Sequence, residues 1–395
     1  MTAAPKSSGK KVVVVASLAW SLINFRGQLL SDMVAAGHDV VAVAPEDDPE
    51  VARELAARGV RYRVVPMRRA SISIASDIRT LMALYGLFRA ERPDLVLAYT
   101  QKPIVYAGLA ARMAGIPRFV AMISGLGHVF SDGGGRAQAV LRGLVSQLYR
   151  QALTGVATVF VFNSDDRAEL LKHRIITADV PVVQVPGSGI DTRRFVAAPL
   201  PAGAPVFLLV ARLLRNKGLY EFVEAARRIR ANHPEVRCQL LGPRDPNPAG
   251  ITAAELASWQ AEGVIEYLGE TRDVVPFFAG ASVFVLPTWY REGLPRTILE
   301  AMASGRAVIT SLAPGCRDAV EDGANGWLVP VRDTAALTAA MQRFVDDPQL
   351  IVAMGARSRM LAEARYDVRI VNHLLLSTMN LLPPAPAAAQ LSDAA

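Results

Sequence analysis

Two cysteines in 395 residues cannot build a disulfide framework and stand at no metal-ligand spacing. Cys238 borders an apolar run and Cys316 lies in a loop, which fits a chain kept in a reducing compartment. Long apolar runs are also missing. Val12 to Val15 falls far short of the ~20 residues that span a bilayer, and the opening residues are mostly small or polar. Neither a transmembrane helix nor a signal peptide is expected, and a cytoplasmic location is the simple reading. No Asp-x-Asp occurs, nor any His/Cys/Asp cluster at ligand spacing, so no metal site is expected. Gly-x-Ser-x-Gly and the phosphate loop G-x-x-x-x-G-K-[ST] are absent. Gly125-Leu126-Gly127 and Gly187-Ser188-Gly189 never extend to G-x-G-x-x-G, which leaves a dinucleotide oxidoreductase little support. No internal repeat is visible.

What the chain does have is apolar residues at 51%, with glycine and proline spread throughout. That is globular composition, and the length suits two domains. Apolar runs and helical spacings alternate. Lys10 to Ser17 reads as a buried parallel strand, Trp20 to Ala36 as one helix closed by Gly37, and Asp39 to Ala44 as the next strand. Further on, Leu95 to Ala98, Arg118 to Ile123 and Thr158 to Phe162 read as strands, with Ser164-Asp165-Asp166 capping the helix after the last. Val206 to Val210 opens a second series. Such alternation belongs to doubly wound α/β folds. Charge divides unevenly: residues 1–200 carry a net +8 and residues 201–395 a net −1. A basic half fits an anionic partner (nucleic acid, a membrane surface or a phosphorylated acceptor), or merely solvated surface. Gly135 to Leu153 is a basic amphipathic helix, fit either to lie on a membrane or to pack on the sheet.

One stretch carries chemistry. Ala281 to Thr310 reads as strand, polar loop, short helix and strand, with Pro287 stopping the first strand and Pro295 at the first helical position. A helix N-terminus at the carboxyl end of a buried parallel strand is a ready anion site. Glu292 and Glu300 bracket it. Carboxylates there repel a phosphate unless they bind hydroxyls on either side of it, a combination that points to a sugar nucleotide. In another setting they would be two solvated helix-face glutamates.

The run Glu292-Gly293-Leu294-Pro295-Arg296-Thr297-Ile298-Leu299-Glu300, followed by Ala301-Met302-Ala303-Ser304-Gly305, resembles the E-x7-E motif of family 4 of the retaining GT-B glycosyltransferases. The resemblance implies the GT-B fold, two doubly wound (Rossmann-like) α/β domains facing a cleft. It implies that Glu292 holds hydroxyls of the donor sugar and Glu300 those of the ribose. Gly293, Leu294, Arg296 and Thr297 would complete the donor site, with backbone N–H groups on the diphosphate. Ala211-Arg212-Leu213-Leu214-Arg215-Asn216-Lys217-Gly218 matches the family's second motif, in which Arg212 and Lys217 bind that diphosphate. Fixed cations there stabilise the charge gained by the leaving group. No cofactor is implied.

Many members carry glycines after the first strand, where this chain reads Ala16-Ser17-Leu18-Ala19-Trp20-Ser21. Members often place a histidine directly after the Arg118 to Ile123 strand, whereas here Ser124 stands and His128 follows four residues on. Shorter likenesses, in Asn24-Phe25-Arg26, Gln101-Lys102, Gly125-Leu126-Gly127 and Gly242 to Pro248, point to bacterial transferases that add an N-acetylhexosamine to a polyprenyl-diphosphate-linked sugar. By that likeness Asn24, Arg26, Lys102, Gly125, Gly127 and His128 are acceptor contacts. The same likeness implies a UDP-linked donor and a partner at the inner membrane surface, with no nucleic acid involved, although the loop after Leu268 does not itself tell uridine from guanosine. The expected division is an acceptor domain over 1–195, a nucleotide-sugar domain over 196–360, a helix over 361–382 crossing back to the first, and a disordered tail over 383–395. Two rivals remain: a transferase with a soluble acceptor, and a non-catalytic nucleotide- or polyanion-binding protein.

Overall fold

The computed structural model describes residues 9–68, 73–127, 130 and 135–382. Two parallel sheets organise them. The first holds β1 (Lys11–Val15), β2 (Asp39–Ala44), β3 (Arg61–Val64), β4 (Leu95–Tyr99), β5 (Phe119–Ile123), β6 (Thr158–Val161) and β7 (Val182–Gln184), in the order β3-β2-β1-β4-β5-β6-β7. The second holds β8 (Val206–Val210), β9 (Arg237–Leu241), β10 (Glu266–Tyr267), β11 (Val283–Leu286), β12 (Ala307–Ser311) and β13 (Gly326–Val329), in the order β10-β9-β8-β11-β12-β13. Helices cover both faces of each sheet, so the central strands read as unbroken apolar runs. Val12 to Val15 and Val283 to Val285 are fully buried.

In each sheet the order reverses beside the first strand. The crevices so formed lie between β1 and β4, and between β8 and β11. Loops leaving the carboxyl ends of those four strands are where such folds bind ligands. A single apolar core joins the facing sides of the two sheets and takes in the C-terminal helix Val368–Thr378.

Several elements differ from the sequence expectation. The single helix over Trp20 to Ala36 is two, Ala19–Asn24 and Gly27–Ala35, broken at Phe25 and Arg26, where the backbone leaves helical angles (φ −127°, ψ −2° at Arg26) and the Arg26 side chain is buried. Asn163, not Ser164, caps the helix Ser164–Lys172 by accepting from the Asp166 N–H at 2.7 Å. Pro295 is the cap rather than the first residue of the helix Arg296–Ala303, its ψ of 119° being extended. The end of the chain is not one long helix. Helix Gln349–Leu361 runs into a wide turn at Ala362–Tyr366, and Asp367 restarts the chain by capping Val368–Thr378. That last helix meets the first sheet's layer: Asn372 Nδ2 donates to Asp32 at 2.7 Å, and Arg118 Nη1 to the Met379 carbonyl at 2.6 Å.

The basic amphipathic helix, Arg136–Ala152, both packs and stays open. Tyr149 and Ser146 are buried against the domain, while Val140, Leu144 and Leu148 form an exposed apolar stripe. Ile74, Ile78 and Met82 make a like stripe on helix Ile74–Glu91. Both helices pack against helix Gln101–Ala114. Among the described residues, no helix is long and apolar enough to cross a membrane. The tail expected to be disordered lies outside the described residues.

Candidate active site

The second sheet supplies two loops to the site. After β8 the chain turns through Arg215–Lys217 and enters the helix Leu219–Asn232 at Gly218, whose φ is +79°. A Cβ on Gly218 would lie 2.2 Å from the Pro287 carbonyl oxygen, so only glycine lets this loop meet the one after β11. Two hydrogen bonds pin the loops together: Thr288 Oγ1 donates to the Asn216 carbonyl at 2.8 Å, and the Trp289 N–H to the same oxygen at 3.1 Å. This brings Lys217 and Glu292 into contact. Lys217 Nζ donates to Glu292 Oε1 and stands 5.6 Å from the Tyr290 ring centroid. Arg212 reaches outward instead, is 61% exposed, and pairs with Asp245 at 2.9 Å.

Glu300 is buried in the helix behind the loop, where Arg296 Nε donates to it at 3.0 Å. Burial pushes its carboxyl above the usual carboxylate range, against the pull of Arg296. The Arg296 guanidinium also lies over the Phe25 ring at 5.3 Å. Thr297 is half-buried at the same helix start, and Leu294 is packed near Gly187 of the segment joining the sheets.

The first sheet closes over this loop. A Cβ on Gly293 would lie 2.4 Å from the Ser124 carbonyl oxygen, and one on Gly125, whose φ is +113°, would lie 2.9 Å from the Gly293 nitrogen. A Cβ on Gly127, whose φ is +67°, would lie 3.0 Å from the side-chain ends of Gln101 and Tyr290. Asn163 fixes the closure, with its Nδ2 donating to the carbonyls of Gly293 at 2.8 Å and Glu292 at 3.2 Å. Asp166 accepts a further hydrogen bond from that amide at 3.1 Å. Burial pushes the Asp166 carboxyl up to about 7, with the hydrogen bonds around it acting the other way.

Between the sheets lies a cavity of about 260 Å³ whose lining includes Ser17, Arg26, Thr100, Ser124, Glu292 and Arg296. The acceptor-side residues therefore separate. Arg26 lines this cavity. Asn24, two positions earlier, lines another of about 450 Å³ with Trp20, Glu50 and Arg272, because the helix ends between them. There Arg272 spans the two halves, over Trp20 at 4.6 Å and paired with Glu50 at 2.7 Å. Lys102 pairs with Asp77 at 2.9 Å and lines neither cavity, since its helix turns that side chain toward helix Ile74–Glu91. Gly125 and Gly127 have a packing reason for being glycine. His128 lies outside the described residues.

Sequence reasoning missed Asn163, Tyr290 and Asp166. Asn163 had a readable signal, an amide just past the carboxyl end of the apolar strand β6, the end from which doubly wound folds place functional side chains. Tyr290 had none.

Residues 204–347 match the family described as "Glycosyl transferases group 1", and residues 25–188 match the one described as "Glycosyl transferase 4-like domain". The chain is 25% identical over 89% of its length to an N,N'-diacetylbacillosaminyl-diphospho-undecaprenol alpha-1,3-N-acetylgalactosaminyltransferase of Campylobacter jejuni, covering 93% of that protein. It is 26% identical over 76% of its length to a UDP-Gal:alpha-D-GlcNAc-diphosphoundecaprenol alpha-1,3-galactosyltransferase of Escherichia coli, covering 79% of it. Among solved structures, sucrose-phosphate synthase from Thermosynechococcus elongatus superposes with a TM-score of 0.78 at 19% identity, over 94% of this chain and 98% of that one. That likeness carries the fold, GT-B.

Proposed function

We propose, from the premise that the chain belongs to the glycosyltransferases joining a 4-like domain to a group 1 domain, that it moves an N-acetylhexosamine from a UDP-linked donor to a polyprenyl-diphosphate-linked saccharide. The observation that carries the reading is the pairing of Lys217 with Glu292 at the crevice between β8 and β11, with Arg296 and Glu300 at the helix start beside it. A cation for the diphosphate and a carboxylate for sugar hydroxyls thus stand together, and a second carboxylate waits for the ribose. Arg212, held by an exposed pair with Asp245, is free to swing onto the diphosphate when the donor enters. The basic first half and the relatives named for undecaprenol-diphosphate acceptors support the acceptor.

Transfer proceeds with retention. The two relatives are named for alpha linkages, and an alpha product from an alpha-linked nucleotide sugar is retention. Glu292 is the one carboxylate among the described residues lining the 260 Å³ cavity, and Lys217 holds it. A double displacement would need a free carboxylate below the sugar. Departure and attack on the same face need none: the leaving phosphate accepts the proton of the acceptor hydroxyl, while Arg212 and Lys217 stabilise its charge. With these cations in place and no Asp-x-Asp in the sequence, no divalent ion is required.

The acceptor is met at a membrane surface. The stripes Val140-Leu144-Leu148 and Ile74-Ile78-Met82 are apolar and exposed on two helices that both pack on helix Gln101–Ala114, and Arg79 and Arg89 are exposed on the second of them. That pairing suits an anionic lipid surface, where each basic residue contributes on the order of 1 kcal/mol. The test is a transfer assay with several UDP-sugars, the lipid-linked acceptor being supplied in anionic or neutral vesicles. Transfer to the lipid-linked saccharide, insensitive to a chelator and faster on anionic vesicles at low salt, is expected. Transfer only to soluble sugars would replace the reading with the soluble-acceptor one, and rescue by Mg²⁺ or Mn²⁺ after chelation would refute metal independence.

The two glutamates are expected to separate in calorimetry with UDP. Glu292→Gln releases Lys217 from its ion pair, so UDP binds as tightly as to the wild type or more tightly, while turnover falls. Glu300→Ala removes the ribose partner and weakens UDP itself. Equal weakening by both would refute the division.

A further inference from the structure

Arg26 is the unexplained group in the cleft. It is 2% exposed, and its Nε and Nη1 are buried without a hydrogen-bond partner. The rings of Tyr99 and Phe162, 5.3 and 5.8 Å from the guanidinium carbon, attract its charge but leave the N–H groups unmet. The buried Arg306 shows what a structural arginine does here: its Nε and Nη2 donate to the carbonyls of Phe278, Ala279 and Pro199, and only its Nη1 is left without a partner. Arg26 finds no such carbonyl. Burial lowers its guanidinium to about 10, and Arg296 adds repulsion from across the cavity. A cation kept buried and unpaired lowers stability, a cost that proteins carry at sites of function.

Its neighbours complete a cradle. Thr100 lines the same cavity with φ +69° and ψ 160°, a region that β-branched residues avoid and that marks functional strain. Its Oγ1 donates to Ser17 Oγ at 2.9 Å. Directly after the cavity-lining Thr100 begins the 14-residue helix Gln101–Ala114, whose first N–H groups, those of Gln101 and Lys102, have no intrahelical partner, Pro103 having none to offer. Ser17, Ser124 and Ser188 also line the cavity, beside the apolar Leu18, Phe25, Leu294 and Pro295. Neither Arg212 nor Lys217 lines this cavity.

We propose that Arg26 and the N-terminus of helix Gln101–Ala114 form a second phosphate site on the first sheet's wall of the cleft, separate from the one served by Arg212 and Lys217. Given the acceptor reading above, on which this identification of the ligand rests, the occupant is the diphosphate of the lipid-linked saccharide. The same chemistry would suit a donor phosphate, and the two sources are separable.

The experiment is calorimetry on the full chain, with UDP alone and then with inorganic pyrophosphate added to the UDP-saturated protein. The wild type is expected to bind pyrophosphate with UDP present. Arg26→Gln should weaken that binding about tenfold or more, the worth of a charge-assisted hydrogen bond, with UDP affinity unchanged. Arg26→Lys, which keeps the charge and guards against a folding defect, should fall between. The thermal midpoint of Arg26→Gln should equal or exceed that of the wild type, because the variant no longer buries an unpaired charge. Weakening of UDP alone by Arg26→Gln would keep the phosphate site but give it to the donor. Unchanged binding of both ligands with a lowered midpoint would overturn the proposal and leave Arg26 as packing. Pyrophosphate binding in a protein that transfers only to soluble sugars would sink the lipid-linked reading while the site itself stands.

Discussion

Lys217→Ala is expected to lower turnover at saturating donor by about 10²–10³, the scale for losing one fixed stabiliser of developing charge. The ion pair makes Lys217 the more consequential of the two diphosphate cations. Its side chain and that of Glu292 are each 15% exposed, so removing the lysine also leaves a carboxylate unpaired in a poorly solvated place. A fully buried pair broken on one side costs roughly 3–5 kcal/mol, and this half-sheltered one should cost part of that. The thermal midpoint of Lys217→Ala should therefore drop along with the rate. Arg212→Ala should behave differently. Arg212 is 61% exposed, and its partner Asp245, though 15% exposed, still accepts from the Asn247 N–H, so stability should fall less than in Lys217→Ala while turnover falls by a similar factor. Near wild-type rates in both variants at saturating donor would remove the diphosphate assignment. A stable Lys217→Ala with a lost rate would show that the pair with Glu292 does not hold in solution.

How far the residues could be read ahead of the structure depended on whether the signal was local. Val206–Val210 and Val283–Leu286 are strands buried on both faces, and an unbroken apolar run between loop residues reports such a strand directly. The helix over Trp20 to Ala36 failed for the opposite reason. Its apolar spacing runs through Phe25 and Arg26 without interruption, and the break there, with Arg26 buried, is a tertiary feature that no local spacing reports. Helix Ala253–Ala261 went unread although Thr252 and Glu255 form a capping box, a signal present in the residues themselves.

The site divided along the same line. Glu292, Glu300, Arg212 and Lys217 were legible because each sits at fixed spacing within one strand-loop-helix unit. The contact between Lys217 and Glu292 spans 75 positions and arises from loops on adjacent strands, which no spacing reports. Asn24 and Arg26 could not be told apart, since their difference is the end of a helix between them. Thr100 carries its information in backbone angles that its side chain would ordinarily refuse.

The contact that no spacing could report is also where a single methyl group should do most harm. Gly293→Ala is expected to lower turnover by roughly 10²-fold, the scale for displacing a reacting group by about 1 Å. The added Cβ would sit 2.4 Å from the Ser124 oxygen, 2.5 Å from its carbonyl carbon and 3.0 Å from the Phe162 ring. The first two contacts are to backbone, so the loop after β11 must shift away from the first sheet. Gly315 permits little retreat, because its own Cβ position lies 2.2 Å from the Gly293 carbonyl oxygen. That carbonyl accepts from Asn163, so the shift also loosens the hydrogen bond closing the cleft. Glu292 precedes Gly293 and moves with it, away from the position that Lys217 and the donor sugar require. The helix Arg296–Ala303 buries Ile298, Leu299 and Met302 in the core that joins the two sheets, and this packing holds Arg296 and Glu300 in place, so UDP affinity should change little. Gly86→Ala serves as the control. That residue lies in helix Ile74–Glu91 with nothing within 4 Å of its Cβ position, and alanine there should be neutral or stabilising by up to about 1 kcal/mol. A Gly293→Ala enzyme with unchanged turnover would mean that catalysis does not need the cleft closed at this contact. Lost turnover together with lost UDP binding would place the damage in the donor site rather than in its alignment with the first sheet.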